Sequence, residues 1–377
     1  MPEPLYWILL IALTLLAGRT ALSLLPPGDP GAQRNSPFPV TWAIAFGLGV
    51  GLSEFTARIL SSVTSLTYDQ LTHDGGAWLL VPLAPWVVIA FLRWRSLPGA
   101  MVPRHEVEES RTPTWARGLF AAAWAIVVVD GFRLGLGNRA GDAALMLLWF
   151  GPSLHALRVL RVQVEARALL ALGIALALAI YGQPSWMMDK TVILAIGPPI
   201  VLGGVLWTRR ADRRGRALTL LFTTLALGSG ALPMTGAFAI TLALTLASWK
   251  GSAGSTAKLS LVALGIGFGI WQLTGRPEST MSPIEGPVRN RIAILLVVVA
   301  LVATVRAWRK RRPPLRELTW LMGVPVLAFG LGALADAGVP IGGSAADWAA
   351  LSLPFLFVLG ESALLPQDPL ARDPRPE

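Results

Sequence analysis

The sequence contains no cysteine and only three histidines among its 377 residues. Without cysteine, the chain can form neither disulfides nor thiolate metal sites, and it has no thiol nucleophile. The histidines are scattered along the chain, so a haem or a histidine-rich metal centre is not expected. We therefore predict neither a metal nor a cofactor.

Charge is also scarce. Charged residues make up 14% of the chain and hydrophobic residues 54%, whereas ordinary soluble domains carry roughly 25% charge. The longest stretch outside the apolar runs covers residues 93–115, which leaves no room for a soluble catalytic domain. Residues 1–377 are therefore predicted to form a single transmembrane domain.

Several catalytic and binding motifs are missing. The sequence has no Walker A motif, so the chain does not hydrolyse ATP by that route. It also has no Gly-x-Ser-x-Gly and no His-Glu-x-x-His. The net charge of +10 resides in short loops between apolar runs. That placement favours membrane lipids as partners and argues against nucleic acid, which would need a continuous basic surface.

What the chain does contain is about thirteen apolar stretches of membrane-spanning length. Helices that are apolar on all sides are stable in lipid, so the pattern predicts an all-α, polytopic membrane bundle. The predicted spans are 4–25, 41–63, 77–94, 115–132, 142–157, 166–182, 190–207, 217–232, 234–249, 257–274, 290–307, 317–335 and 347–365.

Basic residues indicate the orientation of these spans. With the N-terminus outside, the inner segments hold roughly four times as many Arg and Lys residues as the outer ones, as the positive-inside rule requires. We expect the N-terminus outside, a retained first helix rather than a cleaved signal, and the C-terminus inside. Residues 366–377 would form a disordered cytoplasmic tail. The expected location is the cytoplasmic membrane of a bacterium.

Residues 217–249 admit two interpretations. Each half is short for a membrane span, so the segment around 231–236 either turns at the outer surface or forms the tip of a re-entrant hairpin, which would leave eleven full spans. We favour two plain spans. The segments 41–207 and 217–365 could also form a pseudo-repeat, because Pro198 and Pro199 in one half correspond to Pro354 in the other.

Glu54 and Arg58 are the first candidates for function. They lie near the centre of the second span at positions i and i+4, so they share one helix face. A charge at this depth is costly and must face the interior of the bundle, so we expect the two side chains to face each other. They could bind a substrate or relay an ion, or they could form a structural ion pair.

Asp69, His73 and Asp74 follow in the first outer loop. A carboxylate one helical turn from an imidazole suits a general base, so these residues are the predicted catalytic groups if the protein is an enzyme. The commoner interpretation is a solvated loop.

Two further sets could bind substrate. Arg276, Arg289 and Arg291 lie in one outer loop, where guanidinium groups suit a phosphate or a carboxylate, although such charges often pair within the loop. Pro198 and Pro199 interrupt the seventh span and could free carbonyls for a ligand, or simply kink the helix.

Our leading hypothesis is a transporter or flippase-like permease that moves a small solute or an amphipathic substrate, coupled to protons or ions through Glu54 and Arg58. One alternative is a membrane-embedded transferase or polymerase that acts on lipid-linked glycans at the outer face. The second alternative is a non-catalytic subunit of a larger membrane complex. The sequence makes no prediction of oligomeric state.

Overall fold

The computed structural model describes residues 3–26, 38–72, 77–93, 113–135, 151–181, 191–230, 232–248, 251–273, 305, 315–336 and 345–367. These residues form helices and no β-strand, apart from one isolated bridge between Val162 and Gln367. The predicted all-α fold is therefore confirmed for the described part of the chain.

The helices follow the predicted apolar stretches closely. Their bounds are α1 Glu3–Leu24, α2 Phe38–Val63, α3 Tyr68–Thr72, a 3-10 helix Ala77–Leu83, α4 Ala84–Leu92, α5 Thr114–Gly135, α6 151–159, α7 Val164–Tyr181, α8 Thr191–Arg210, α9 Arg213–Gly228, α10 Met234–Leu246, α11 Ala253–Leu273, α12 Leu315–Asp336 and α13 Ala345–Leu364. The predicted span 290–307 lies outside the described residues, apart from Val305.

The third predicted stretch departs from a simple α-helix. Its first half is the 3-10 helix, which contains Pro82, and an α-helix begins only at Ala84. Proline lacks a backbone N–H and its ring crowds the preceding turn, so Pro82 disfavours a regular α-helix at this point. Pro85 fits the first turn of α4, where the missing N–H has no helical partner.

Small residues allow α1 and α2 to pack closely. A Cβ atom on Gly18 would overlap the carbonyl oxygen of Ala45, and one on Gly49 would overlap that of Thr14. Close approach at glycine is the usual means of packing helices in membranes, where burial of apolar surface adds little.

The centre of the bundle is formed by α8, α12 and α13, which pack against one another. Trp320 on α12 is fully buried there, donates a hydrogen bond from Nε1 to the carbonyl of Val201 (3.2 Å) and meets the ring of Phe355 edge-on at 5.2 Å. The indole is thus both packed and satisfied in its hydrogen bonding.

Large apolar side chains also cover much of the outside of the bundle. On α11, Leu261 is 70% exposed, and Val262 and Ile266 lie on the same apolar surface. By length and composition, two helices of the described residues could cross a membrane: Ala43–Val63 and Ala253–Leu273. Shorter apolar helices cover Ile8–Leu24, Leu80–Leu92, Met234–Leu246 and Leu351–Leu364.

Segments that were predicted to be cytoplasmic come together at one end of the bundle. We call this the basic end and define it as residues 158–167, 207–216, 248, 251–256, 316–317 and 366–367. Four contacts tie it together and to the end of α1: Arg209 with Glu317 (3.5 Å), Arg216 with Thr256 (3.1 Å), Gln163 with Pro366 (2.9 Å) and Arg214 with the carbonyl of Leu22 (3.4 Å).

Candidate functional site

Glu54 and Arg58 lie on α2 about 14 Å and 8 Å, respectively, from its end at Val63, at 1.5 Å per residue. Both side chains are partly buried. The i, i+4 spacing places them on one face of the helix, as the sequence predicts. Gly51 and Phe55 lie on an adjacent part of the same surface, where α2 packs against α9.

Tyr68 on the short helix α3 connects the two charged residues. Its hydroxyl donates a hydrogen bond to the Oε2 atom of Glu54, and its ring lies under the guanidinium of Arg58, with Cζ 3.5 Å from the ring centroid. A hydrogen bond to a carboxylate and a cation–π contact are both strong for their type when partly shielded from water. Tyr68 therefore holds both charges with a single side chain. Both contacts are with Tyr68, so a direct contact between Glu54 and Arg58 stays a prediction from the sequence.

A capping box positions Tyr68. The backbone N–H of Gln70 donates to Oγ1 of Thr67 (3.3 Å), and that of Thr67 donates to Oε1 of Gln70 (2.9 Å). This reciprocal pair starts α3 immediately before Tyr68. Leu71, in the same helix, is buried and anchors α3 against the bundle. The chain thus folds back after α2 and returns a side chain to its charged face.

A third element supports the same region. Trp86 on α4 donates a hydrogen bond from Nε1 to Oγ1 of Thr56 (3.1 Å). Thr56 lies between Glu54 and Arg58 in the sequence, so α4 fixes α2 at this level. We call Glu54, Arg58 and Tyr68 the charged triad.

The charged triad has the chemistry of an ion or substrate site. The carboxylate of Glu54 accepts a hydrogen bond from the Tyr68 hydroxyl. The Nε atom of Arg58 is buried and makes no hydrogen bond to the described residues. A buried donor of this kind usually has a partner, and an anionic or polar solute group would provide one.

The other predicted site residues divide into two groups. Pro198 and Pro199 lie inside α8, where a Cβ atom on the preceding Gly197 would meet the ring of Pro354 on α13. This contact is one of helix packing. The backbone of Asp69 belongs to α3, but its side chain, together with His73, Asp74, Arg276, Arg289 and Arg291, lies outside the described residues.

The basic end has charges of its own. Asp212 caps α9 by accepting a hydrogen bond from the backbone of Arg214 (2.9 Å). Burial, together with the positive charge of Arg210, lowers the pKa of Arg158 to about 10, so this guanidinium remains charged at neutral pH. Within the described residues, no group of three or more His, Asp or Glu side chains could hold a metal ion.

Sequence reasoning identified Glu54 and Arg58 but missed Tyr68, Thr56 and Trp86. A signal for Tyr68 was present, because Thr67 and Gln70 have the spacing of a capping box that would turn the chain back after α2.

No family model, curated protein or solved structure matches this chain. Function is therefore inferred from the residues of the site.

Proposed function

We propose that this protein is a multi-pass permease of a bacterial cytoplasmic membrane that moves a small solute or an amphipathic substrate. Movement is coupled to protons or ions through the charged triad. The observation that carries the proposal is a carboxylate and a guanidinium that share one tyrosine, within a long apolar helix.

Two features support a membrane location. The basic end gathers segments from five parts of the chain, as expected if they face a common cytoplasmic surface with anionic lipid. The bundle also exposes large apolar side chains on α11 that lipid would cover. Together they fit an orientation in which α2 runs from the inside to the outside, with its outer half carrying Glu54 and Arg58.

Energetics favour a functional role for the triad. Each charge at the centre of a membrane costs on the order of 2.5–3.5 kcal/mol on insertion scales. The contacts with Tyr68 offset part of that cost, and Arg58 still has a buried Nε–H without a partner among the described residues. An anionic or polar solute group could supply that partner.

The proposal predicts that Glu54→Gln abolishes transport while the protein stays folded in the membrane, because the amide cannot exchange a proton. The purified protein would be placed in vesicles of phosphatidylethanolamine and phosphatidylglycerol that contain a pH-sensitive dye. A potassium diffusion potential would be applied while amino acids, sugars, carboxylates and nucleosides are added outside in turn. At least one solute should accelerate acidification in the wild type, and Glu54→Gln should remove that response.

Glu165→Gln is the matched control, because Glu165 lies in the first turn of α7 at the basic end. It should keep the wild-type response. A folded Glu54→Gln protein with unchanged acidification would contradict ion coupling at Glu54. Loss of the Glu54→Gln protein from the membrane would indicate a structural pair, as in a non-catalytic subunit.

A further inference from the structure

Helices α9 and α10 are shorter than their neighbours. They contain 16 and 13 residues, whereas α8, α11, α12 and α13 contain 20 to 22. At 1.5 Å per residue they measure about 24 Å and about 20 Å, against about 30 Å for the hydrocarbon core of a bilayer. Neither helix reaches across if it lies upright.

Both helices are fixed at the basic end. Trp207, near the end of α8, donates a hydrogen bond from Nε1 to Oγ of Ser248, just beyond the end of α10 (2.9 Å). Arg216, in the first turn of α9, lies over the ring of Trp207 at 4.5 Å. The start of α9 and the end of α10 are therefore level with each other, and the missing length must be at the opposite end.

The turn between them lies at the depth of the charged triad. Leu225 on α9 faces Gly51 on α2, and a Cβ atom on Gly228 would overlap the ring of Phe55. Phe55 is the neighbour of Glu54 and lies about 12 Å before the end of α2, at 1.5 Å per residue. The described residues of the turn (229, 230, 232 and 233) therefore lie roughly 10 Å below the outer end of α2.

Two residues of the turn are buried, and its backbone is tightly bonded. Leu232 is 1% exposed and Ser229 is 7% exposed. Gly230 has a φ of 76°, which a side chain would disfavour, and the backbone N–H of Leu232 donates to the carbonyl of Ala226 (3.0 Å). In a membrane, a turn at this depth is stable only where protein surrounds it or where it lines a pathway.

We propose that α9 and α10 form a re-entrant hairpin that enters from the basic end, and that its turn and the charged triad line one solute pathway. This inference rests on the proposed function. It reverses our preference for two plain spans in this segment, because the end of α9 is level with Phe55 and both Ser229 and Leu232 in the turn are buried. The turn would separate an outward-facing approach to Glu54 and Arg58 from the cytoplasmic side.

The natural absence of cysteine makes a direct test possible, because each engineered thiol is the only one in the protein. Ser229→Cys places a thiol in the turn, and Met234→Cys provides a second, partly exposed position at the start of α10. Ser279→Cys, in the predicted outer loop, and Ala211→Cys, at the basic end, serve as references. Intact vesicles with a known orientation would be treated from outside with a bulky polyethylene glycol maleimide or with a small cationic methanethiosulfonate.

We expect the bulky reagent to label Ser279→Cys but not Ser229→Cys, Met234→Cys or Ala211→Cys. The small cationic reagent should label Ser229→Cys or Met234→Cys from outside. Adding Glu54→Gln should slow that reaction while leaving the rate of a neutral methanethiosulfonate unchanged, because only the cation is attracted by the carboxylate.

Bulky labelling of Ser229→Cys at the rate of Ser279→Cys would overturn the hairpin. Failure of both small reagents to reach either turn position in folded protein would overturn the shared pathway. These outcomes are distinct from failure of the proposed function, which is judged by solute-driven acidification. The hairpin could be disproved while Glu54→Gln still abolished transport.

Discussion

Tyr68 offers two different groups to its two charged neighbours. Its hydroxyl binds Glu54 and its ring binds Arg58, so the two contacts can be removed one at a time. A hydrogen bond to a charged group contributes about 1.5–3 kcal/mol, and a cation–π contact about 0.5–2 kcal/mol. The side chain therefore has a measurable effect on the stability of the site.

We predict that Tyr68→Phe lowers the free energy of unfolding by about 1–3 kcal/mol, because the carboxylate of Glu54 loses its donor while the ring remains over Arg58. Tyr68→Leu should lower it further, because the cation–π contact is lost as well. The free energy of unfolding of both variants is measured in detergent by denaturant titration.

A double-mutant cycle with Glu54→Gln identifies the partner. If the hydroxyl acts on Glu54, the cost of Tyr68→Phe should differ between the wild-type and Glu54→Gln backgrounds. Equal costs in the two backgrounds would contradict the hydrogen bond as the source of the effect.

At the scale of helices, packing depends on a few positions where no side chain fits. Gly204 on α8 faces Trp320, and a Cβ atom there would overlap the indole ring. Trp320 has no room to move, because it is fully buried and bonded to Val201. Gly265 on α11 has the opposite environment, with no atom within 4 Å of an added Cβ.

Gly204→Ala should therefore destabilise the protein by about 1–3 kcal/mol through overpacking, and Gly265→Ala should stabilise it by about 0.5–1 kcal/mol through helix propensity. Thermal unfolding of the two variants under identical detergent conditions provides the comparison. Equal shifts of the unfolding temperature in the same direction for both variants would contradict the close packing of Gly204 on α8 against Trp320 on α12.

The helices could be predicted from the sequence because a long apolar run is a local property. The 3-10 start of the third stretch was not predicted, since a 3-10 helix and a kinked α-helix have the same composition. Tyr68 and the depth of the turn after α9 could not be predicted in the same way, because they depend on how distant segments pack. The contact between Gly228 and Phe55 joins residues far apart in the chain, and no periodicity encodes it.

At the scale of the whole molecule, the basic end and the charged triad lie toward opposite ends of the bundle. Arg214, near the start of α9, contacts the carbonyl of Leu22 at the end of α1. Tyr68 instead follows the end of α2 at Val63 and folds back onto that helix. The bundle therefore has a strongly positive end and an opposite end that leads to the triad. Such a polarity fits a protein that is inserted in one direction and receives its solute from the outer side.

This polarity predicts the sides on which single thiols react. Arg213→Cys, exposed at the basic end, should react with an impermeant maleimide only after the membrane is opened, whereas Asp74→Cys, in the first predicted outer loop, should react in intact cells. The wild-type chain, which has no cysteine, gives the background. Reaction of both thiols from the same side would overturn the orientation, because five predicted spans, an odd number, separate the two segments and Asp74 follows the outward crossing of α2. It would also remove the reason to place Glu54 on the outer half of that crossing.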